Sequence, residues 1–258
     1  MVSDQVKRVL AWVEKEGVKL DNRAIRLVQE HYQRLSLKDL VDLLEQVAVL
    51  SNRAQRLGMR DALLHQFDNL VRVLGEPPPG TRELLRDATR LGIQSAAQLV
   101  DAQGYAPLYD LAATHEIAYV RDSSSRLDSY WGPHLTKFRA DVQDVLTLGL
   151  DRGQGPQEIA RQLEIRTGVS QSSAARIIRN ETGTAQAYAL EQEQRAMGFT
   201  HYIWSTSRDS RVRPLHQARE WKVYSWDAPP SDGHPGEPIM CRCVAIPLRS
   251  VDAREDVS

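Results

Sequence analysis

The chain has 258 residues, with 33 basic and 34 acidic side chains and a formal net charge of −1 at pH 7. Its length suits one large domain or two small ones, and its near-neutral charge argues against a globally basic nucleic-acid-binding protein. No apolar run approaches the roughly 18 residues that a membrane span requires, and no signal peptide is visible. We therefore expect a soluble protein without a membrane segment, made in a reducing cytoplasm.

The first third of the chain carries the apolar spacing of amphipathic helices. Apolar residues recur at i, i+3, i+4 and i+7 over residues 4–16, and the spacing repeats over 22–34. Ser36 is placed to cap a further helix, and apolar stripes continue through residues 37–74. Such stripes are typical of the core of a helical bundle; in the alternative interpretation, the 37–74 stripe docks on helices of a partner protein.

A proline-rich break follows and is the best candidate for a linker. The run Glu76-Pro-Pro-Pro-Gly80 cannot continue a helix. We therefore predict an N-terminal helical region over 1–76, a linker over 77–80 and a middle helical region over 81–139. Helices are expected at 81–91, 95–102, 107–121 and 125–150, with Gly92 ending the first and Ser123–Ser125 separating the last two.

The C-terminal part begins with helices and ends with strands. Gly155-Pro156 opens a helix, since proline is tolerated at the first helical position, and Ser170 is predicted to cap a long helix that Gly198 ends. Beyond Gly198, β-branched and aromatic residues dominate the segments 201–206, 221–226 and 242–246. The predicted fold is mainly α: a helical N-terminal region, then a C-terminal α+β domain of long helices and a small antiparallel sheet over 140–249, then a tail over 250–258.

Both cysteines and two of the seven histidines lie near the C-terminus. Cys241 and Cys243 are separated by one residue, so in a strand both thiolates would face one side while Arg242 faces the other. Together with His216 and His234 they make four ligands, which suits tetrahedral zinc. A sheet this small would need a staple, and zinc supplies one in other small domains. The alternative is a reduced, half-buried Cys-x-Cys strand, because cysteine is often buried as a small apolar residue.

A charged turn precedes the cysteines. In Asp209-x-Arg211-x-Arg213 the carboxylate can pair with the guanidiniums and staple the turn; the alternative is a phosphate site, and we favour the staple. Arg179 and Glu181 lie two residues apart on one helix and cannot face each other. We therefore predict that both contact this turn and tie the helix to the metal-binding part of the chain.

Four motifs follow one another in this half of the chain. They are a helix start (Gly153, Glu158, Ile159, Ala160, Leu163), a second helix (Ala174 or Ala175, Ile178, Arg179, Glu181, Thr182), a mixed block (Trp204, Asp209, Arg211, Val212, Arg213, His216) and a proline-rich loop that ends in Cys-Arg-Cys (Pro229, Pro230, His234, Pro235, Cys241, Arg242, Cys243). In type and order they resemble Mu F-like phage head morphogenesis proteins, also called minor capsid or minor head proteins. The resemblance covers about residues 140–249.

This resemblance implies a structural protein and not an enzyme. It implies a minor head protein of a tailed phage or prophage-like particle, made in the host cytoplasm and located in the virion at the portal vertex, in multiple copies per particle. The implied partners are the portal protein and the major capsid or scaffolding protein. The implied role is head assembly, and the resemblance also allows contact with packaged DNA during packaging or ejection.

Two other classes of function stay open. A metal-dependent hydrolase or nuclease, or a toxin-like effector built on the same domain, would need an open metal position and a general base. Asp209 and Glu237 are the candidates for that base, although neither stands in a recognised spacing. DNA binding is suggested by the local excess of basic residues between Arg208 and Lys222, but such a run is usually a solvated face.

Overall fold

The computed structural model describes residues 2–48, 53–106 and 112–249. Most of these residues are helical, and a small antiparallel sheet lies near the C-terminus, so the predicted mainly-α fold is confirmed. The helices are α1 Asp4–Gln33, α2 Lys38–Ala48, α3 Arg53–Val71, α4 Thr81–Asp101, α5 Ala112–Asp151, α6 Pro156–Ala196 and α7 Pro214–Gln217, with a 3-10 turn at Arg72–Leu74. The strands are β1 His201–Ser205, β2 Val223–Ser225 and β3 Val244–Leu248.

The chain divides into two compact units. The first comprises Met1–Ala24, Gly80–Arg126 and Ile178–Ser258, and the second comprises Ile25–Pro79 and Leu127–Ile177. One boundary falls in the predicted proline-rich linker, whereas the others fall inside α1, α5 and α6. The domain division that we drew from the sequence stays a prediction.

Several helices are longer than the sequence signals indicated. Gly92, Ser123–Ser125 and Ser170 were expected at helix ends, but each lies inside a continuous helix, in α4, α5 and α6 respectively. Those boundaries are therefore wrong. Ser170 shows the physical reason: its hydroxyl lies 2.7 Å from the hydroxyl of Tyr32 in the core of the second unit, where it has a tertiary partner and does not cap a helix.

Gly92 marks a close approach between two helices of the first unit. A Cβ atom built at this position would lie 2.2 Å from the backbone oxygen of Gln186 and 2.9 Å from the Cβ of Ala189, both on α6. Such distances are far inside van der Waals contact, so glycine is required for α4 and α6 to pack at this separation. The residue that resembled a helix stop is therefore a packing residue.

The second unit has an aromatic core of its own. The rings of Phe67 and Phe138 meet edge to face at 5.7 Å. The indole of Trp131 donates a hydrogen bond to the carbonyl oxygen of Leu74 at 2.9 Å, which satisfies the indole N–H in a buried place. Much of the stripe predicted over 37–74 is thus buried in the bundle, although Leu50 lies outside the described residues.

The small sheet belongs to the first unit. β1 is the central strand and pairs antiparallel with both β2 and β3. One apolar cluster joins its strands to helices: Tyr202, Trp204 and Trp226 pack with Leu10 of α1 and Leu99 of α4. Gly198, at φ +84°, ends α6 and turns the chain towards β1 as predicted. We call residues 199–249 the C-terminal lobe.

Among the described residues, no helix has both the length and the apolar character needed to cross a membrane.

Replacing Gly92 with alanine should destabilise the protein, although alanine is the better helix former by about 1 kcal/mol. The added methyl group would collide with backbone on α6, which cannot move aside cheaply. Gly168→Ala is the matched control, since Gly168 also lies within a helix and a Cβ atom added there would have no neighbour within 4 Å. Urea unfolding should give a lower free energy of unfolding for Gly92→Ala than for the unaltered chain. For Gly168→Ala, the free energy of unfolding should be unchanged or higher. A stabilised Gly92→Ala protein would contradict the packing account.

Candidate metal centre

Two short segments of the C-terminal lobe carry the buried cysteine and histidine side chains. His216 lies on α7, which begins with Pro214 at a position where the missing N–H costs nothing. Cys241 and Cys243 come immediately before β3 and not within a strand, which corrects the strand geometry expected from the sequence. Met240, at φ +57°, turns the chain just before the first cysteine.

These three residues converge on one point. The Nδ1 atom of His216 lies 3.6 Å from the sulfur of Cys241 and 3.5 Å from the sulfur of Cys243. All three ligand atoms lie within 4.8 Å of one another, and all three side chains are buried. Both cysteines are free thiols. The structure therefore brings together three of the four ligands predicted from the sequence.

The spacing of these atoms fits a zinc ion. With bonds of about 2.3 Å to sulfur and about 2.05 Å to nitrogen at a tetrahedral angle, nitrogen and sulfur ligands of one zinc ion lie about 3.6 Å apart. The two nitrogen–sulfur distances in this structure match that value. Two thiolates and one imidazole are also a donor set that soft and borderline metals such as zinc prefer. The residues present therefore fit the metal.

Hydrogen-bond donors surround the sulfur atoms. The backbone N–H groups of Gly236 and Cys243 donate to the sulfur of Cys241, at 3.4 and 3.5 Å. Trp204 belongs to the same buried cluster as both cysteines. The thiol of Cys243 and the two backbone N–H groups lower the pKa of Cys241 to about 6, while the same pairing and burial raise the pKa of Cys243. The site therefore already favours one thiolate over two neutral thiols.

The imidazole of His216 is held from its other side. Its Nε2 atom lies 3.0 Å from the Oδ2 atom of Asp232, whose carboxylate also forms an ion pair with Arg219. Burial opposes ionisation of Asp232, but the hydrogen bonds from Arg219 and His216 outweigh it and lower its pKa. The guanidinium of Arg219 in turn lies over the ring of Trp204, 4.8 Å from its centroid.

His234, the fourth predicted ligand, lies outside this cluster. Its Nδ1 atom is 2.9 Å from the hydroxyl of Tyr202, and its ring packs 5.0 Å from that of Trp226. Its backbone N–H donates to the carboxylate of Glu237. Burial lowers the pKa of His234, so the neutral ring is favoured in this aromatic setting.

The predicted charged turn exists, but its main partner is different. Asp209 accepts a bond from the backbone N–H of Arg211 and pairs with its guanidinium at 3.2 Å. Its strongest contact is bidentate, with both terminal nitrogens of Arg242, at 2.6 and 2.8 Å. This guanidinium holds the pKa of Asp209 well below its usual range. Arg213 donates instead to the carbonyl oxygen of Ile239.

Arg179 and Glu181 find partners elsewhere in the first unit. Arg179 donates to Asp21 of α1 at 2.7 Å, and the buried carboxylate of Glu181 accepts from Arg126 of α5 at 3.3 Å. Within the part of the chain that the structure describes, the hydrogen bonds of these two side chains do not reach the Asp209–Arg213 turn. They bind helix to helix and not helix to turn.

A cavity lies beside the cysteines. Its volume is about 240 Å³, and it is lined by residues of α1 and α6, by residues 205–208, and by the segment that holds Cys241 and Cys243. The lining includes both apolar and charged side chains, among them Leu10, Glu14 and Arg208. The ligand cluster therefore borders the cavity and is not surrounded by packed core residues on every side.

Comparison with known proteins finds a family likeness in this part of the chain. Residues 140–246 match the sequence model of the family described as Phage Mu protein F like protein. This segment is therefore similar to Mu F-like proteins. The resemblance predicted from the four motifs is thereby confirmed, and the matched range is close to the 140–249 expected from them.

This chain is also similar to an uncharacterized protein of Haemophilus influenzae. The two are 30% identical over 108 residues, which is 42% of this chain and 24% of the relative. This chain therefore spans about a quarter of the length of that relative. No solved structure matches the chain.

Sequence reasoning missed the side chains that support the metal ligands. Asp232, Arg219 and Trp204 lie 13 to 28 residues apart along the chain, so no local spacing joins them. The partner of Asp209 had a usable signal: Arg242 stands between two cysteines that share a site and was expected to point the other way, where a carboxylate could reach it. No equivalent signal in the sequence points to Asp232.

Replacing both Cys241 and Cys243 with serine should abolish bound zinc and lower the Tm by about 10 °C or more, because a tightly held metal stabilises only the folded state. Zinc content by plasma mass spectrometry and Tm by calorimetry would check this. His234→Gln is the matched control: it removes a buried histidine of the C-terminal lobe but none of the three converging ligands. It should keep its zinc. If the His234→Gln protein loses its zinc, His234 is a ligand after all. If the double serine variant keeps the zinc content and the Tm of the unaltered chain, these cysteines do not bind a metal.

The bidentate pair of Asp209 and Arg242 should stabilise the lobe more than the pair of Asp209 and Arg211. A double-mutant cycle with alanine should give about 1 kcal/mol of coupling for the first pair and a few tenths for the second, whose arginine is largely exposed. Free energies of unfolding in urea supply the four corners of each cycle. Equal couplings would mean that the bidentate geometry adds nothing.

Proposed function

We propose that this chain is a structural minor head protein of a tailed phage or prophage-like particle and acts in head assembly. The observation that carries the proposal is the match of residues 140–246 to the Mu F-like family. The order of the four motifs along the same residues supports it, since they include both the charged turn and the Cys-Arg-Cys segment.

Within the particle we propose a place at the portal vertex, in multiple copies. The portal protein and the major capsid or scaffolding protein are the proposed partners, with packaged DNA as a further contact during packaging or ejection. A structural protein of this kind needs stable folded lobes and no catalytic constellation. The long helices of this chain suit such a role, because they bury continuous apolar stripes.

In this proposal zinc staples the C-terminal lobe. The buried donor set of His216, Cys241 and Cys243 supports that role, and so do the N–H groups directed at the sulfur atoms, which reduce the nucleophilicity of a thiolate. When bound, zinc would tie α7 to the segment before β3. Neither segment is part of the sheet.

A second candidate is a metal-dependent hydrolase or nuclease, or a toxin-like effector, built on the same domain. The observation that favours it is the cavity beside a cluster of three ligands, since catalytic zinc sites keep three protein ligands and one open position. The two carboxylates considered as a general base are occupied in other ways. Asp209 is held by Arg242, and Glu237 accepts the backbone N–H of His234.

The proposal predicts that the chain is part of the particle. Mass spectrometry of purified particles from the strain that encodes it should detect the chain with portal and capsid proteins, at a few to a few tens of copies per particle. A pull-down with the intact chain should recover the portal protein from a lysate of induced cells. The control bait is a chain with Cys241 and Cys243 both replaced by serine, which should lose the partner only if the stapled lobe forms the contact.

Absence of the chain from purified particles, together with no portal protein in the pull-down, would contradict the structural proposal. Hydrolysis of nucleic acid or of a model ester by the zinc-loaded chain, lost in the double serine variant, would then favour the enzymatic candidate.

A further inference from the structure

We propose that Asp232 is the positioning residue of the metal centre: its carboxylate fixes the tautomer and the orientation of the His216 ring, and Arg219 holds that carboxylate in place. This inference rests on the zinc site proposed above and adds residues to it that neither the four motifs nor the ligand count contains. Its core is a set of three contacts that surrounds the ring of His216.

The first contact determines which ring nitrogen of His216 is free. Asp232 Oδ2 lies 3.0 Å from Nε2. The other oxygen of this carboxylate pairs with the guanidinium of Arg219, and a carboxylate in such an ion pair can only accept hydrogen bonds. The hydrogen must therefore reside on Nε2. In the neutral ring, Nδ1 then carries the lone pair, and Nδ1 is the atom that faces the two sulfurs at 3.5 and 3.6 Å.

The second contact keeps the carboxylate aligned. Arg219 pairs with Oδ1, the other oxygen of Asp232, so each oxygen serves one partner. Both partners are almost completely buried: the side chain of His216 is 3% exposed and that of Arg219 is 8% exposed. A buried guanidinium without this carboxylate would be an uncompensated charge. Arg219 and Asp232 thus fix each other, and His216 is held by the pair.

The third contact returns to the ligands. The guanidinium of Arg219 lies 4.8 Å from the ring centroid of Trp204. The same indole meets the ring of His216 edge to face at 5.3 Å. Asp232, Arg219 and Trp204 therefore enclose the ring of His216. A surface ion pair would have no reason to make these contacts.

This arrangement has the form of a carboxylate–histidine–metal triad. In such triads the outer carboxylate raises the basicity of the ligand nitrogen and orients the ring, and its removal typically weakens metal binding about 10- to 100-fold. Removing Asp232 should therefore reduce metal affinity by that factor while all three ligands remain.

The test is Asp232→Asn, which is nearly isosteric but cannot serve both partners. An amide has one accepting oxygen and one donating nitrogen. If its oxygen faces Arg219, its nitrogen faces Nε2 and favours the wrong tautomer; in the opposite orientation, two donors meet at Arg219. Asp227→Asn is the matched control, because Asp227 also pairs with an arginine, at 2.9 Å, but lies far out in solvent with 79% of its side chain exposed.

Metal affinity would be measured with cobalt as a spectroscopic probe and with zinc in competition against a chromophoric chelator. Asp232→Asn should bind both metals about 10 to 100 times more weakly than the unaltered chain and shift the ligand-field absorption of the cobalt form. Asp227→Asn should match the unaltered chain in both respects. The Tm of each metal-free protein separates loss of affinity from loss of fold.

The outcomes are distinguishable. If the unaltered chain binds neither metal, the proposed zinc site fails, and this inference fails with it. If the unaltered chain binds zinc and Asp232→Asn binds it equally well, the inference alone is overturned.

If Asp232→Asn does not fold, nitrogen-15 NMR of histidine in the unaltered zinc-loaded chain decides the matter, with the His216 signal assigned by its absence in His216→Gln. A proton on Nε2 supports the inference, and a proton on Nδ1 overturns it.

Discussion

The convergence of His216, Cys241 and Cys243 is the contact on which our account of the C-terminal lobe depends. Its sheet has strands of only five, three and five residues, so the sheet owes part of its stability to packing on α1 and α4. His216 lies in the long connection before β2, and Cys241, 25 residues further along, lies in the long connection after it. In small zinc-dependent domains the metal contributes about 10–16 kcal/mol of apparent binding free energy. A contribution of that order would decide whether these connections are ordered.

The helices of the first unit supply the platform for that lobe. Asn180 accepts the backbone N–H of Met240 just before the cysteines, at 2.8 Å, and Gln194 donates to the carbonyl oxygen of Ala245 in β3, at 3.0 Å. Gly236, at φ +92°, lies so close to α6 that a Cβ atom would come within 2.1 Å of the Cβ of Ala187. One helix thus fixes both ends of the cysteine segment, and side chains larger than glycine are excluded where the loop crosses it.

The sequence predicted the type of each element better than the residues at which the helices begin and end. Apolar periodicity indicated the helices because it reflects burial along a face, and aromatic and β-branched residues indicated the sheet. Gly92 and Ser170 misled because glycine and serine occur both at helix ends and at tight or polar packing contacts, and local sequence does not distinguish the two.

The ligand set shows the same limit of prediction from sequence. His216, Cys241 and Cys243 meet, whereas His234 binds Tyr202, and only the folded chain separates them. Asp232 could not be predicted at all, because its role depends on a ring that lies 16 residues away.

The most direct test of the central claim is X-ray absorption at the zinc K-edge of the purified chain, with zinc content measured on the same sample. Our account predicts close to one zinc per chain, with two sulfur neighbours at about 2.3 Å and at least one nitrogen at about 2.0–2.1 Å. A chain purified without zinc that also fails to take it up, or a zinc shell without sulfur, would contradict the account.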